Sequence, residues 1–225
     1  RLLNLKKKFK ANGIDGYVIP KNDEFFSEYT NKDRLRTISD FTGSAGYAVI
    51  LNKKNYLFVD GRYHIQAQIE SGKNFEIVDL SNLINCKLFS NLTIGIDPKL
   101  FTSQQVKKFF HNNKIKLIDK NLIDEISSKY KLTKKSFFSI TDVVAGESFK
   151  KKIKKISNIL KKKNVNFLFV SAPENVAWVL NIRGFDSPYS PIPNCRLILD
   201  DKNKFYLIVE KTKVSNLLKD NKIKS

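Results

Sequence analysis

The sequence has 225 residues, of which 41% are hydrophobic and 12% aromatic, so it can bury the core of one large domain or two smaller ones and is not a disordered tail. Its formal net charge is +19, but only six of its 41 basic residues are arginines. Lysines on helices usually form a solvated face, so this charge does not predict a specific nucleic-acid partner. No apolar run reaches bilayer-spanning length and no secretory pattern is evident, so we expect no membrane partner.

The first part of the chain alternates predicted helices and strands. Leu2, Leu5 and Phe9 lie on one face of an initial helix. Strands are predicted at residues 16–20, 47–51, 56–59, 75–78, 92–96 and 115–118. Helices are predicted at residues 62–71, closed by Gly72 as a C-cap, and 103–110. This alternation predicts an α/β layer architecture for residues 1–130.

A polar, basic stretch at residues 129–141 lacks a clear period, and we place a linker at residues 131–145. A second α/β segment, residues 146–225, comes after the linker. Its helices are predicted at residues 146–163, 174–180 and, more weakly, 211–219, and its strands at residues 167–170, 196–199 and 205–209.

The second segment repeats part of the first. Residues 12–20 align with residues 163–171, and residues 56–60 align with residues 206–210, both at a shift of about 150 positions. Two copies of one domain account for both matches. The second copy is predicted to be incomplete, because the later strands of the first copy have no counterpart in it.

The best candidate for a functional motif is Asp60-Gly61-Arg62-Tyr63, where a predicted strand passes into a helix. Asp60 is a natural N-cap, and Arg62 would project from the helix start at the end of a strand, where α/β folds tend to place ligand-contacting groups. A guanidinium there could bind a carbonyl or carboxylate of an extended peptide through paired hydrogen bonds. The alternative is a capped helix with a surface arginine.

Two neighbouring features have weaker interpretations. The small residues of the segment 41–46 allow either close approach to a ligand or a tight, closely packed turn, and they do not form a P-loop. Arg34 and Arg36 lie in sequence beside Asp33 and Asp40, which predicts a salt-bridged surface.

The sequence presents no self-sufficient active site. His64 and His111 are the only histidines, placed on the exposed part of a helix and at a helix end, and no HExxH motif is present. Cys86 and Cys195 are far apart and lack a CxxC context, which argues against a disulfide framework or zinc site and fits a cytoplasmic location. We therefore assign no catalytic and no metal-binding residue. Because the chain starts at Arg1 and contains no methionine, we expect a fragment.

Several motifs in this order resemble the N-terminal part of cytosolic-type Xaa-Pro aminopeptidases, which belong to the creatinase/prolidase-type metallopeptidases. The motifs of the first segment are Asp40-Phe41-Thr42-Gly43-Ser44-Ala45-Gly46, Val59-Asp60-Gly61-Arg62-Tyr63, Gln66-Ala67, Gly95-Ile96-Asp97-Pro98 and Asn121-Leu122-Ile123-Asp124. The motif of the second segment is Ala177-Trp178-Val179-Leu180-Asn181-Ile182-Arg183-Gly184-Phe185-Asp186, with Pro191 after it.

The resemblance implies two creatinase N-terminal-type domains, each a mixed β-sheet flanked by helices, with the second one truncated. It implies a parent enzyme that removes the N-terminal residue before a proline, using two divalent metal ions, commonly manganese, in a pita-bread catalytic domain that this chain lacks. The fragment itself is then expected to be inactive, to hold no cofactor, to shape access for proline-containing peptides and to support a homodimer. The resemblance assigns substrate contact to Arg62, with Asp60 supporting it, and His64 departs from the aromatic residue typical of the family.

Two other functions remain open on the sequence. A catalytically dead creatinase-like module could bind other proteins instead of cleaving peptides. A basic polyanion-binding protein is the other alternative, and it depends on the net charge alone.

Overall fold

A computed structural model of the chain describes residues 1–84, 86–127, 130 and 133–224. The chain forms two compact units, Arg1–Tyr130 and Lys131–Ser225, called unit 1 and unit 2 below. In the described part of the chain no helix is both long and apolar enough to cross a membrane.

Unit 1 is a mixed six-stranded sheet flanked by helices, which confirms the predicted fold class. Its elements are α1 (Leu2–Asn12), β1 (Gly16–Pro20), α2 (Arg34–Ser39), β2 (Gly46–Leu51), β3 (Asn55–Val59), α3 (His64–Ser71), β4 (Glu76–Asp79), β5 (Thr93–Ile96), α4 (Ser103–Phe109), β6 (Lys114–Leu117) and α5 (Leu122–Ile126). The strand order is β4-β3-β2-β1-β5-β6. Strands β1, β2 and β3 are antiparallel, and the other pairs are parallel. The predicted strands are all present, with ends shifted by at most one residue.

Both faces of this sheet are covered. Tyr17 and Ile19 of β1 point into a core cluster with Leu5 and Phe9 of α1. Val18 points to the opposite face, because successive residues of a strand alternate between faces. There it joins a second buried cluster, which includes Val49, Phe58, Leu83, Phe89, Phe101 and Phe110.

The predicted helix at residues 62–71 begins differently from the prediction. A 3₁₀ turn, Gly61–Tyr63, precedes α3. Gly72 ends α3, and its amide donates to the Gln68 carbonyl, but its φ of −57° is right-handed. A Cβ at Gly72 would lie 2.4 Å from the Gln68 side chain. A larger residue would therefore clash at this position, and a left-handed conformation is not the reason for the glycine.

Helices α2 and α5 were not predicted, and the surface role of Arg34 was predicted wrongly. Asp33 caps α2 by accepting from the Arg36 amide. Arg36 is exposed, but Arg34 is 1% exposed. The carboxylates that pair with Arg34 belong to Glu24 and Asp124, which lie 10 and 90 positions away in the sequence. The acidic residues beside Arg34 in the sequence therefore did not indicate its environment.

Unit 2 contains two small sheets and four helices among its described residues. Its elements are β7 (Phe138–Ser139), α6 (Asp142–Ala145), α7 (Phe149–Lys162), β8 (Phe167–Val170), α8 (Pro173–Leu180), β9 (Ile182–Arg183), β10 (Arg196–Asp200), β11 (Phe205–Ile208), a 3₁₀ turn at Lys211–Val214 and α9 (Ser215–Lys219). Strands β11, β10 and β8 form one antiparallel sheet, and β7 pairs with β9.

The segment 131–145, for which a linker was predicted, contributes β7 and α6 to unit 2, and Phe137 is fully buried in the core of that unit. Residues 131 and 132 of that segment lie outside the described residues. Helix α7 starts later than the predicted residue 146 because Gly146, with a φ of 77°, ends α6 and Ser148 caps α7.

The helices α1 and α7, which precede the matching strands β1 and β8, end in the same way, as the repeat predicts. In unit 1, Gly13 has a φ of 56° and the Ile14 amide donates to the Phe9 carbonyl at 3.1 Å. In unit 2, Asn164 has a φ of 54° and the Val165 amide donates to the Leu160 carbonyl at 3.0 Å. Left-handed residues that close a helix in this way direct the chain into the next strand.

A buried lysine joins two helices of unit 2. Lys152 of α7 is 3% exposed. Its Nζ donates to the Trp178 carbonyl at 2.9 Å and to Asn181 Oδ1 at 2.7 Å, and it lies 4.3 Å from the centre of the Trp178 ring. Burial lowers the pKa of Lys152. The side chain therefore fixes the end of α8 against α7.

Candidate functional site

The Asp60–Tyr63 motif lies at the end of β3, where the extended backbone of Asp60 leads into the 3₁₀ turn Gly61–Tyr63. The Asp60 carboxylate accepts from the Arg62 amide at 3.0 Å, so the predicted N-cap is confirmed. An N-cap of this kind satisfies a backbone donor that the turn leaves free.

Arg62 is held by the same carboxylate but faces solvent. Its Nε donates to Asp60 Oδ1 at 2.8 Å, and its guanidinium carbon lies 5.4 Å from the centre of the Tyr63 ring. The side chain is 73% exposed. The hydrogen bond with Asp60 raises the pKa of Arg62, and the bond from Arg62 lowers the pKa of Asp60. Both groups are therefore charged at neutral pH, and the arginine is oriented while part of its donor edge stays open.

Tyr63 is supported by the turn at residues 41–46. Ser44 Oγ and Tyr63 Oη are 2.9 Å apart, and the Phe41 ring packs edge-on against the Tyr63 ring. A Cβ at Gly43 would lie 2.2 Å from the Phe41 ring, and one at Gly46 would lie 2.9 Å from a backbone oxygen. Close packing therefore accounts for the two glycines of this segment.

A second segment lies within electrostatic range of Arg62 and was missed by sequence reasoning. Glu28 and Tyr29 belong to the loop between β1 and α2. Tyr29 is 49% exposed, and its hydrogen bond with Glu28 raises its pKa, while Tyr63 and Arg62 lie within electrostatic range of it. Glu28 in turn acts on the charge of Arg62. No periodicity or spacing connects this loop with the Asp60–Tyr63 motif.

Among the described residues, the histidines and cysteines do not assemble into a catalytic group. His64 is partly exposed on α3, and its Nε2 lies 3.6 Å from Asp79 Oδ2. His111 is exposed in the turn after α4. Cys86 and Cys195 are buried free thiols, and burial raises the pKa of Cys195 to about 12. Within the described ranges, no three His, Cys, Asp or Glu side chains are grouped so that they could hold a metal ion.

Comparison with known proteins gives the same family for both halves of the chain. Residues 1–126 and residues 128–225 each match a creatinase/prolidase N-terminal domain family. The chain is 32% identical over 209 residues to a probable Xaa-Pro aminopeptidase P of Coprinopsis cinerea, which covers 85% of this chain and 34% of that protein. It is 31% identical over 243 residues to Xaa-Pro aminopeptidase 1 of Dictyostelium discoideum, with 96% and 38% covered.

A solved structure has the same fold over nearly the whole chain. It is an X-prolyl aminopeptidase from Caenorhabditis elegans, described as a cytosolic enzyme with a di-nuclear active site. The TM-score is 0.85 at 24% sequence identity, and the match covers 98% of this chain and 41% of that chain. The present chain thus spans well under half the length of the relatives that it matches.

Proposed function

The chain belongs to the creatinase/prolidase N-terminal domain family, and on that premise we propose that it is the non-catalytic N-terminal part of a metal-dependent Xaa-Pro aminopeptidase. The parent enzyme would remove the N-terminal residue before a proline. In this proposal the two units shape the access of proline-containing peptides and support a homodimer. Similarity to aminopeptidases along most of the chain supports it.

One observation supports a substrate role for this part of the enzyme. Arg62 is oriented by Asp60 and stacked near Tyr63, yet is 73% exposed. Its Nη1 group makes no hydrogen bond or ion pair with any described residue. A planar guanidinium held in this way can bind a peptide carbonyl or carboxylate without first losing much conformational freedom.

The metal ions belong to a different part of the proposed enzyme. The described residues of this chain offer no cluster of ligands, so they do not fit a pair of divalent ions such as manganese. We assign those ions, and the hydrolytic step that they would support, to a catalytic domain outside this chain. This chain would contribute binding and orientation of the peptide.

Location and partners derive from the same proposal. We place the parent enzyme in the cytoplasm, with peptides as its ligands and with neither a membrane nor a specific nucleic acid as a partner. The Caenorhabditis elegans neighbour is described as cytosolic, which supports the proposed location.

The direct test replaces Arg62 in the parent enzyme. Arg62→Ala should lower kcat/KM for an Xaa-Pro peptide by about tenfold to a hundredfold, because a charge-assisted contact with the peptide is lost. Arg36→Ala is the matched control, since Arg36 is an exposed arginine of the same unit. Unchanged kinetics in Arg62→Ala would refute the contact role.

A second measurement tests the division of labour. The purified 225-residue chain should release no N-terminal residue from Xaa-Pro peptides and should bind no stoichiometric manganese. Hydrolysis by this chain alone would overturn the proposal. A parent protein that binds peptides through Arg62 but cleaves none would instead favour the catalytically dead binding module.

A further inference from the structure

The loop between β1 and α2, residues 21–33, lies beside the candidate site. The Lys21 amide at its start donates to the Gly46 carbonyl at 3.0 Å. Gly46 ends the same small-residue turn whose Ser44 contacts Tyr63. Further along this loop, Glu28 and Tyr29 lie within electrostatic range of Arg62. The start of the loop and the Asp60–Tyr63 motif therefore contact one turn, and Glu28 and Tyr29 lie within electrostatic range of the exposed guanidinium.

A buried ion network attaches this loop to the body of unit 1. Arg34 Nε donates to Asp124 Oδ1 at 2.8 Å, and Nη2 donates to Asp124 Oδ2 and to Glu24 Oε1, both at 2.7 Å. Asp124 belongs to α5 and Glu24 to the loop. Arg34 is 1% exposed, so its buried charge must be paired with these carboxylates. The ion pair between Arg34 and Glu24 therefore attaches the loop to the body of unit 1.

The few residues between Glu24 and Tyr29 are themselves ordered by hydrogen bonds. The buried Asp23 accepts at Oδ1 from the amides of Phe25, at 2.9 Å, and Ser27, at 3.0 Å. Phe26 has a φ of 61°, and its amide donates to the Asp23 carbonyl at 3.0 Å. Such a tight turn restricts the backbone between Glu24 and Tyr29, so the position of Glu24 also determines the positions of Glu28 and Tyr29.

We propose that Glu24, held by the buried Arg34, is a positioning residue that fixes the loop so that Glu28 and Tyr29 stay within electrostatic range of Arg62. The candidate site then has two halves, one on the loop and one at the end of β3. Arg62 supplies hydrogen-bond donors and Glu28 supplies acceptors, and this pairing matches the C=O and N–H groups of an extended peptide backbone. The identity of the ligand depends on the proposed function, whereas the positioning of the loop does not.

Two matched variants separate the role of the loop from the stability of the network. Glu24→Gln and Asp124→Asn each remove one carboxylate from Arg34, and each leaves the other carboxylate in place. Only Glu24→Gln weakens the attachment of the loop. Thermal unfolding followed by circular dichroism should show that both variants fold.

Hydrogen exchange on the 225-residue chain gives the first readout. In Glu24→Gln, the amides of residues 24–30 should exchange about tenfold faster or more, because the charge-assisted hydrogen bonds that the Glu24 carboxylate accepts from Arg34 and Lys32 are lost. In Asp124→Asn, the faster exchange should appear at α5 and the loop should stay close to wild type. Equal effects of the two variants on the loop, or no effect of Glu24→Gln, would overturn the proposal.

A double-mutant cycle in the parent enzyme gives the second readout. Glu24→Gln should raise KM for an Xaa-Pro peptide and change kcat little, and this effect should largely disappear in an Arg62→Ala background. Asp124→Asn should show no such coupling with Arg62.

The outcomes distinguish the two proposals. If Arg62→Ala has no effect on catalysis, the substrate role of the site fails, and the hydrogen exchange of the loop alone decides whether Glu24 positions it. If Arg62→Ala weakens catalysis and the loop exchanges faster in Glu24→Gln while KM stays unchanged, the loop half of the site is refuted.

Discussion

Units 1 and 2 both contain three matching antiparallel strands, but one face of this sheet is buried in unit 1 and exposed in unit 2. Residues in register across β1, β2 and β3 include Val18, Val49 and Tyr56, and the corresponding residues across β8, β10 and β11 are Phe169, Ile198 and Tyr206. Val18, Val49 and Tyr56 are at most 3% exposed. Phe169 and Tyr206 are 55% and 54% exposed. Equivalent positions in a repeat thus have opposite environments.

The difference arises from the segments that come after the shared strands along the chain. In unit 1, the segment after α3 supplies Leu83, Phe89, Phe101 and Phe110, which cover that face of the sheet. Among the described residues of unit 2, none forms a comparable layer over Phe169 and Tyr206. The local sequence therefore determines where strands form, and later residues determine whether a strand face is buried.

The strand edges differ in the same way. The two outer strands of the unit 1 sheet carry charges, with Glu76 and Asp79 on β4 and Lys114 and Lys116 on β6. Strand β8 lies at the edge of its sheet with the sequence Phe-Leu-Phe-Val and no charge. Charged residues on edge strands oppose pairing with other chains. Strand β8 has the composition of an interior strand, like its counterpart β1.

The largest effect that would sharpen this comparison is expected from a charge placed at the equivalent positions Val18 and Phe169. Val18→Lys should destabilise unit 1 by about 4 kcal/mol or more, because an unpaired charge is buried. Phe169→Lys should cost less than about 1 kcal/mol, since that side chain is already half exposed. Urea unfolding of each variant measures the two losses. Similar losses would mean that the β8 face is buried in solution.

Acid should affect unit 1 through Glu24. Burial alone would raise the pKa of Glu24, but the hydrogen bond and charge of Arg34 outweigh it and lower the pKa from 4.5 to about 2. Above pH 4.5 the pair therefore stabilises unit 1, by an amount on the order of 3 kcal/mol, and this contribution is lost as pH falls from 4.5 towards 2. Hydrogen exchange of β1 in unit 1 and β10 in unit 2, measured across this range, reports on each unit separately.

In Glu24→Gln this acid-dependent contribution to unit 1 should be absent, while the exchange of β10 at each pH should remain that of the wild-type chain. If β1 in the variant keeps the full acid dependence of the wild type, the assignment of that dependence to Glu24 is incorrect.

The smallest effect concerns Gly13 and Asn164, the left-handed residues that lie just before the first matching strand of each copy. Gly13→Ala should destabilise unit 1 by about 1 kcal/mol, because a Cβ disfavours a φ of 56°. Asn164→Gly should change the stability of unit 2 by less than about 0.5 kcal/mol, since asparagine already tolerates this conformation. Thermal unfolding compares the two. A large loss in Asn164→Gly would show that the Asn164 side chain, and not only its backbone, stabilises the turn.

The positions of most strands and helices along the chain could be predicted from the sequence, because hydrophobic spacing and caps such as Asp60 act over a few residues. Helix α2 has only six residues and no clear apolar period, so it was missed. The burial of Arg34 depends on Glu24 and Asp124, and its pairing with Asp124 spans 90 positions, which no local pattern reveals. Glu28 and Tyr29 were missed for the same reason, whereas Arg62 was found through its motif.

The cation–π contact between Lys152 and Trp178 has a practical consequence for spectroscopy. Trp178 is the single tryptophan of the chain, and it belongs to α8 of unit 2. Selectively excited indole emission therefore reports on unit 2 alone and on the junction between α7 and α8 in particular. Unit 1 contains most of the tyrosines. Tryptophan fluorescence, which needs no added dye, can thus be compared with hydrogen exchange to assign an unfolding transition to one unit or the other.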